Sequence, residues 1–397
     1  MVQVYTNAKA LLGDNLELAD EVTIVVEGET IADVLREKLD DGEDLQGALV
    51  IPAFVDAHTH IGDTAAKELG IGLKVEAAVA PPNGLKHRFL RSLSREELVA
   101  SMRQGMLEML KSGIAAFGDF REEGLEGVLA LKEAAQGLPI KPVILGRPIA
   151  DANKGLEVIQ EEVRQILEVA DGLGISSVNV FPVEIMHEFR NLLKDKLLAI
   201  HIAESPRSAV RSFEKYGKSE IARALEFEPD LMIHLTNATD EDLKLLSEHK
   251  QPIACCPRTN CLLGDGIPPL AAMLKSKINF GLGTDNMMFS SPDMFREMDF
   301  ASRVSRGVSK DPTCVESRSF LQAATKKGAD ALQIGSKFGT IAKGKSASFL
   351  VLNPNSRSFV YSHDLISTVV HRLGPEDIWA FVCQGKDVIK DGKFLLA

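Results

Sequence analysis

The stretch Leu49-Val50-Ile51-Pro52-Ala53-Phe54-Val55-Asp56-Ala57-His58-Thr59-His60 is an apolar run that ends in two histidines one residue apart. A short, continuous apolar segment such as Leu49 to Val55 reads as a strand of a parallel sheet. In an extended chain, residues two apart point the same way, so His58 and His60 offer two imidazoles in one direction at the strand's C-terminal end. That is a metal-binding geometry, although His-x-His alone fits a pair of hydrogen-bonded structural histidines equally well.

Seven more such runs follow: Ala115 to Phe120, Pro142 to Gly146, Val178 to Val183, Leu197 to Ile202, Leu231 to Leu235, Pro252 to Cys255 and Ile278 to Leu282. Amphipathic stretches separate them. In the clearest of these, Ser94 and Glu97 form a capping box, Leu98, Met102, Met106, Met109 and Leu110 recur at helical spacing, and Gly113 stands where a C′ glycine belongs. Eight strands, most with room for a following helix, predict a (β/α)8 TIM barrel over residues 51–341. A doubly wound sheet is the alternative, but no Gly-rich phosphate turn follows the first run.

Both ends of the chain read as β structure. Val2 to Tyr5 and Val22 to Val26 precede the turn signals Glu27-Gly28 and Asp41-Gly42, while Ser348 to Leu352, Trp379 to Cys383 and Asp387 to Ile389 alternate with Asn353-Pro354 and Asp391-Gly392. Neither end can bury a core alone, so residues 1–50 and 342–397 are expected to pair into a small β-sandwich. A length of 397 residues suits two to three domains at roughly 150 residues each.

Hydrophobic residues at 45% and charged residues at 25% exclude a disordered or fibrous chain. A net charge of −11 argues against nucleic acid as a partner. Of the five cysteines, Cys255 and Cys256 are adjacent, which suits neither a disulfide framework nor a tetrahedral zinc site. A reducing cytoplasm is expected. No export signal opens the chain, and no run approaches the ~18 apolar residues of a membrane helix.

Other metal-ligating residues fall where the barrel would bring them to His58 and His60. His201 ends the fifth run, His234 ends the sixth and Asp285 follows the eighth, all at the C-terminal rim where barrel enzymes place their chemistry. Neutral imidazoles and a carboxylate suit Zn²⁺, or Fe²⁺ as the alternative, with a position left open for water. His187, His249, His363 and His371 read as structural or solvated, and Cys255, Cys256 and Cys261 as small core or loop residues.

His58-Thr59-His60, His201-Ile202-Ala203-Glu204, His234 and Gly283-Thr284-Asp285 together resemble the amidohydrolase superfamily. The similarity is narrower still to the branch of cytosine, guanine and S-adenosylhomocysteine deaminases and triazine hydrolases. Cys256-Pro257-Arg258-Thr259-Asn260 resembles the Cys-Pro-x-Ser-Asn stretch of adenosine-type deaminases, with Thr in place of Ser, and Ala347-Ser348-Phe349 stands near the family's Ala-Asp-Leu. The resemblance implies that His58, His60, His201 and Asp285 bind one divalent metal and that His234 hydrogen-bonds the attacking water or the substrate. It also implies that Asp285 moves the water's proton to the leaving nitrogen and that Glu204 protonates the ring nitrogen as hydroxide adds to the neighbouring carbon. Relatives with two metals carry a carboxylated lysine after the fourth strand. The run Val178 to Val183 has none, which favours one metal, with Glu184 as an alternative bridging carboxylate.

Substrate contacts are expected from the long connection after the first strand, where Lys86, His87 and Arg88 could meet an anionic group. Arg121, Arg147 and Asn286 also fall at the catalytic rim, and Met287-Met288-Phe289 would form an apolar wall. The function expected is an aminohydrolase that releases ammonia from a purine, pyrimidine or pterin or its nucleoside. A cyclic amide, imidazolone or N-acyl hydrolase with the same metal site is the alternative, and a non-catalytic scaffold a remote one that predicts missing ligands. The partner expected is a small heterocyclic substrate, and the resemblance implies a homo-oligomer, dimer or tetramer.

Overall fold

In a computed structural model that describes residues 2–149 and 152–396, every residue of Phe54–His60, Ile114–Arg121 and Leu197–Ile202 is buried. Strands buried on both faces occur where helices cover a parallel sheet, and that is the arrangement found. The strands are β1 (Phe54–His60), β2 (Ile114–Arg121), β3 (Lys141–Gly146), β4 (Gly172–Ile175), β5 (Leu197–Ile202), β6 (Leu231–His234), β7 (Ile253–Cys255) and β8 (Phe280–Leu282). Each pairs in parallel with the next, from β1 through β8. Immediately after β8 the chain crosses back, and Asp285 and Asn286 pair with Thr59 and His60 of β1. The parallel sheet therefore curls onto itself as in a TIM barrel.

Two strands differ from the sequence expectation. The fourth is Gly172–Ile175, whereas Val178 to Val183 forms the connection leading into the helix Val183–Leu193. Its two glycines hid it from hydrophobic pattern reading. A Cβ on Gly172 would sit 2.2 Å from the Leu197 carbonyl oxygen and one on Gly174 2.6 Å from the Phe120 ring, so close packing, not apolar composition, selects these residues. The run Leu49 to Val55 is also divided. Leu49–Pro52 pairs with Lys9 and Ala10 and with Phe349–Val351, and only after Ala53 does the chain enter the barrel as β1.

Leu49–Pro52 thereby belongs to the sheet that the two chain ends build together. Val2–Leu12, Glu17–Glu27 and Thr30–Leu35 extend it on one side, and Phe349–Leu352, Ile378–Cys383, Lys386–Lys390 and Lys393–Phe394 on the other, with Glu43–Asp44 beside the first strand. In hydrogen-bonding terms the expected sandwich is one continuous sheet among the described residues. It keeps its own small core of Ile24, Val26, Ile31, Phe349, Val351 and Val382, with the Tyr5 ring edge-on to Phe349. No helix among the described residues is long and apolar enough to cross a membrane.

The helix Arg95–Lys111 joins these two bodies. Ser94 and Glu97 close a capping box, Met102, Met106, Met109 and Leu110 are buried, and the chain turns back through Gly113 at φ +83°. A Cβ at Gly113 would lie 2.8 Å from Leu350 Cδ1 and 3.1 Å from Ile378 Cδ1, on the terminal sheet. Gly113→Ala therefore combines a left-handed backbone with overpacking and should lower stability by about 1–3 kcal/mol. A urea midpoint equal to that of the wild type would refute this account.

Candidate functional site

The strand ends bring His58 and His60 from β1, His201 from β5, His234 from β6 and Asp285 from beyond β8 to one place. His58 Nε2 lies 3.3 Å and His60 Nε2 3.6 Å from Asp285 Oδ1, and His60 Nε2 lies 3.3 Å from His201 Nε2. One ligating atom from each of His58, His201 and His234 falls within 4.8 Å of the others, as do atoms of Glu204, His234 and Asp285, and of His58, Cys256 and Asp285. Backbone bends aim these groups. Ala203, His234 and Asp285 have φ of 50°, 77° and 62°, left-handed values that cost about 1–2 kcal/mol in a non-glycine residue.

Hydrogen bonding fixes which ring nitrogen faces the centre. His60 Nδ1 contacts only acceptors, Glu122 Oε1 at 2.9 Å and the Phe120 carbonyl at 3.2 Å, and His201 Nδ1 contacts the Ile175 carbonyl at 3.1 Å. Both Nδ1 atoms therefore carry hydrogen, and the two Nε2 lone pairs face one another beside an acidic oxygen. Burial drives His58 down to about 4, His60 to about 3 and His201 well below its ordinary value, so the rings are neutral. Burial pushes Asp285 upward, but the contact with His58 at 3.3 Å outweighs it and draws the carboxyl below the usual range. Both nitrogens of His58, His234 Nε2 and Asp285 Oδ2 are buried with no hydrogen-bond partner among the described residues. The inward Nε2 lone pairs of His60 and His201, a nitrogen of His58 and the unpaired Asp285 oxygen are complementary to a divalent cation, while His234 Nε2 is left as an unpaired donor beside them.

Residues 49–394 match the model of the amidohydrolase family. The chain belongs to that family. This amidohydrolase is 40% identical over 317 residues to a putative aminohydrolase of Methanothermobacter thermautotrophicus, covering 77% of this chain and 81% of the relative. It is 26% identical over 423 aligned positions to the 5-methylthioadenosine/S-adenosylhomocysteine deaminase of Bacillus cereus, covering 99% and 95% of the two chains. A zinc-bound adenosine deaminase of Xanthomonas campestris shares the fold, with a TM-score of 0.82 at 19% identity over 99% of this chain and 94% of that one. The protein is thus a hydrolase of carbon–nitrogen bonds with deaminases among its relatives.

A cavity of about 320 Å³ opens above the histidines, walled by His60, His201, Glu204, Arg147, Glu220 and Asn286 among others. Glu204, on the loop after β5, lies 3.8 Å from His234 Nε2, and burial pushes its carboxyl up. Asn286 donates to Asp63 Oδ2 at 2.8 Å. Arg147 stands 4.0 Å from Glu122, its Nε without a hydrogen-bond partner among the described residues.

Two expected substrate contacts lie elsewhere. Arg121 is fully buried between Asp119, 3.4 Å away, and Glu122, an ion pair inside the barrel wall. His87 does not line the cavity but bonds the carbonyl of Val79, which does, at 3.1 Å. The basic segment splits: Lys86 points inward to Glu122 at 2.6 Å while Arg88 is exposed. Glu184 is exposed in the first turn of its helix, and β4 ends at Ile175 followed by Ser176 and Ser177, so no bridging group extends from the fourth strand. His187, His249, His363 and His371 do not line the cavity.

Three residues that touch the site were not singled out by sequence. Asn260 Nδ2 donates to His234 Nδ1 at 3.1 Å; its signal was the Cys-Pro-Arg-Thr-Asn stretch. Glu220 on the cavity wall accepts from Ala203 N and Ser208 Oγ, and nothing in its helical surroundings marks it. Glu122 carries no signal in sequence, because the ring it contacts, His60, lies 62 residues away. Close contact at Gly283 gives a direct check on the centre: a Cβ there would meet His58 N at 2.8 Å and His58 O at 2.9 Å. Gly283→Ala should part Asp285 from His58 and weaken zinc binding by ~10-fold or more, the scale on which displaced supporting contacts act. Wild-type affinity by competition with a chromophoric chelator would show that the gap is not needed.

Proposed function

We propose that this amidohydrolase is a metal-dependent aminohydrolase that releases ammonia from the amino-bearing carbon of a nitrogen heterocycle, a purine, pyrimidine or pterin or its nucleoside. One observation carries the reading: inward lone pairs of His60 and His201 meet Asp285 directly below a cavity into which Glu204 opens. His58, His60, His201 and Asp285 are the residues that would hold one divalent ion, Zn²⁺ in preference to Fe²⁺. Such a cation lowers the pKa of a water to about 7.

The chain's own groups supply the rest. Asp285, ionised at neutral pH, accepts the water's proton at its carboxylate and returns it to the departing amino nitrogen, which leaves as ammonia. With Asn260 Nδ2 donating to His234 Nδ1, the His234 proton sits on Nε2, a donor for the oxygen that adds to the ring carbon. Glu204, whose carboxyl burial pushes upward, would deliver a proton to the adjacent ring nitrogen and recover one from the added hydroxyl as that oxygen becomes a carbonyl and ammonia leaves. Arg147 and Asn286 on the cavity wall can donate to oxygen or nitrogen acceptors of the substrate. The absence of lysine or acid at the end of β4 supports one metal over the bridged pair of many amide-cleaving relatives.

Metal analysis followed by ammonia-release assays on adenine, guanine, cytosine and pterin compounds and their nucleosides tests the proposal. Ring-opened product without ammonia would replace it with a cyclic amide hydrolase. Glu204→Gln should keep the metal and lose at least ~100-fold in kcat, the scale of general acid–base contributions, and unchanged turnover would remove Glu204 from the mechanism. His201→Ala should lose the metal, and full occupancy in that variant would contradict the ligand assignment.

A further inference from the structure

Glu122 follows β2, is almost wholly buried, and uses both carboxylate oxygens. Oε1 accepts from His60 Nδ1 at 2.9 Å and pairs with Lys86 Nζ at 2.6 Å, while Oε2 accepts from Arg121. Drawing this many charges out of water costs several kcal/mol per ion, so mere stability is a weak reason to gather them beside a ligand imidazole. The three imidazoles from β1 and β5 are also treated unequally. His201 Nδ1 has a neutral carbonyl as its partner, and both nitrogens of His58 lack a hydrogen-bond partner among the described residues. Only His60 meets an anion through Nδ1.

We propose that Glu122 is the positioning residue of the metal centre: it keeps hydrogen on His60 Nδ1, holds the ring so that Nε2 presents its lone pair inward, and makes that nitrogen the most electron-rich of the set. A carboxylate behind a ligating imidazole does both, by fixing the tautomer and by raising ligand basicity. Arg121 and Lys86 in turn hold the carboxylate. Lys86 belongs to the helix Leu85–Leu90, in the connection whose Val75, Glu76 and Val79 wall the cavity, so the same carboxylate ties the cavity's roof to a metal ligand. The inference rests on the metal site proposed above.

Its first test needs no variant. Long-range ¹H–¹⁵N correlation spectra of metal-free, ¹⁵N-histidine-labelled wild-type protein should show His60 as the Nδ1–H tautomer, against the Nε2–H form that free imidazole side chains favour. An Nε2–H His60 would overturn the proposal. In the second, zinc affinity should fall by about 10–100-fold in Glu122→Ala, with Glu122→Gln, which keeps an acceptor oxygen but not the charge, falling between. Equal affinity in wild type and a folded Glu122→Ala would also overturn it. Should the wild type itself not bind zinc, the metal-site reading fails, and the comparison of the His60 tautomer in wild type and folded Glu122→Ala decides whether Glu122, rather than the Phe120 carbonyl alone, orients His60.

Discussion

The site depends on a single buried carboxylate at the barrel's seam. Asp56 Oδ1 accepts from the Thr284 amide at 3.0 Å and its Oδ2 from the Thr284 hydroxyl at 2.5 Å, joining the chain beyond β8 to β1. His58 N lies 3.4 Å from the same carboxylate. Because a strand shifted by one residue turns every side chain to the other face, this junction sets where His58 and Asp285 stand relative to one another. Burial pushes Asp56 up to about 7, since its three donors return less than the water it has lost. Gly283 makes the contact possible: with a side chain there, Thr284 could not approach β1 so closely.

From that seam the site becomes a balance between groups that oppose folding and a fold that tolerates them. Left-handed φ values at Ala203, His234 and Asp285, lone pairs without donors, and a buried cluster of Glu122, Asp119, Asp63, Lys86 and Arg121 all cost free energy. The surrounding barrel is rich in fully buried apolar residues, from Phe54 and Phe117 to Phe280 and Phe295. A cation among the imidazoles would relieve the lone-pair repulsion directly, so metal binding should stabilise the native state as well as arm it.

How much of this was legible in sequence follows from what each residue type announces. Histidines at strand ends are visible because the runs before them are apolar and the spacing is regular, which is why His58, His60, His201, His234 and Asp285 could be placed on one rim. β4 was misplaced because its glycines are chosen for clearance against Leu197 and Phe120, a property with no hydrophobic signature. Leu49–Pro52 was merged with β1 because strands of two different sheets lie end to end in one apolar run. Arg121 and His87 are polar and near the rim, but only three-dimensional packing reveals that their partners are Asp119 and Glu122 for the one and the Val79 carbonyl for the other, and that neither lines the cavity. Glu122 and Glu220 act through partners far along the chain, which spacing cannot disclose.

The position of the fourth strand bears on mechanism. With β4 ending at Ile175, its last carbonyl is occupied as the acceptor for His201 Nδ1, and the side chains beyond it that border the cavity are Ser176, Ser177 and Asn179, neutral and hydrogen-bonding. A second cation would require an anionic ligand from that direction, and the acid that sequence offered, Glu184, sits on a helix start in solvent. The remaining acid on that wall is Glu220, already accepting from Ala203 N, Ser208 and Asn179, which makes it a brace for the loop that carries Glu204. Chemistry that needs two metals is therefore unsupported on this side of the barrel. Chemistry built on one cation and one acid has its candidate groups together, with Glu204 standing 3.8 Å from His234 Nε2 beside the His58, His60, His201 and Asp285 cluster.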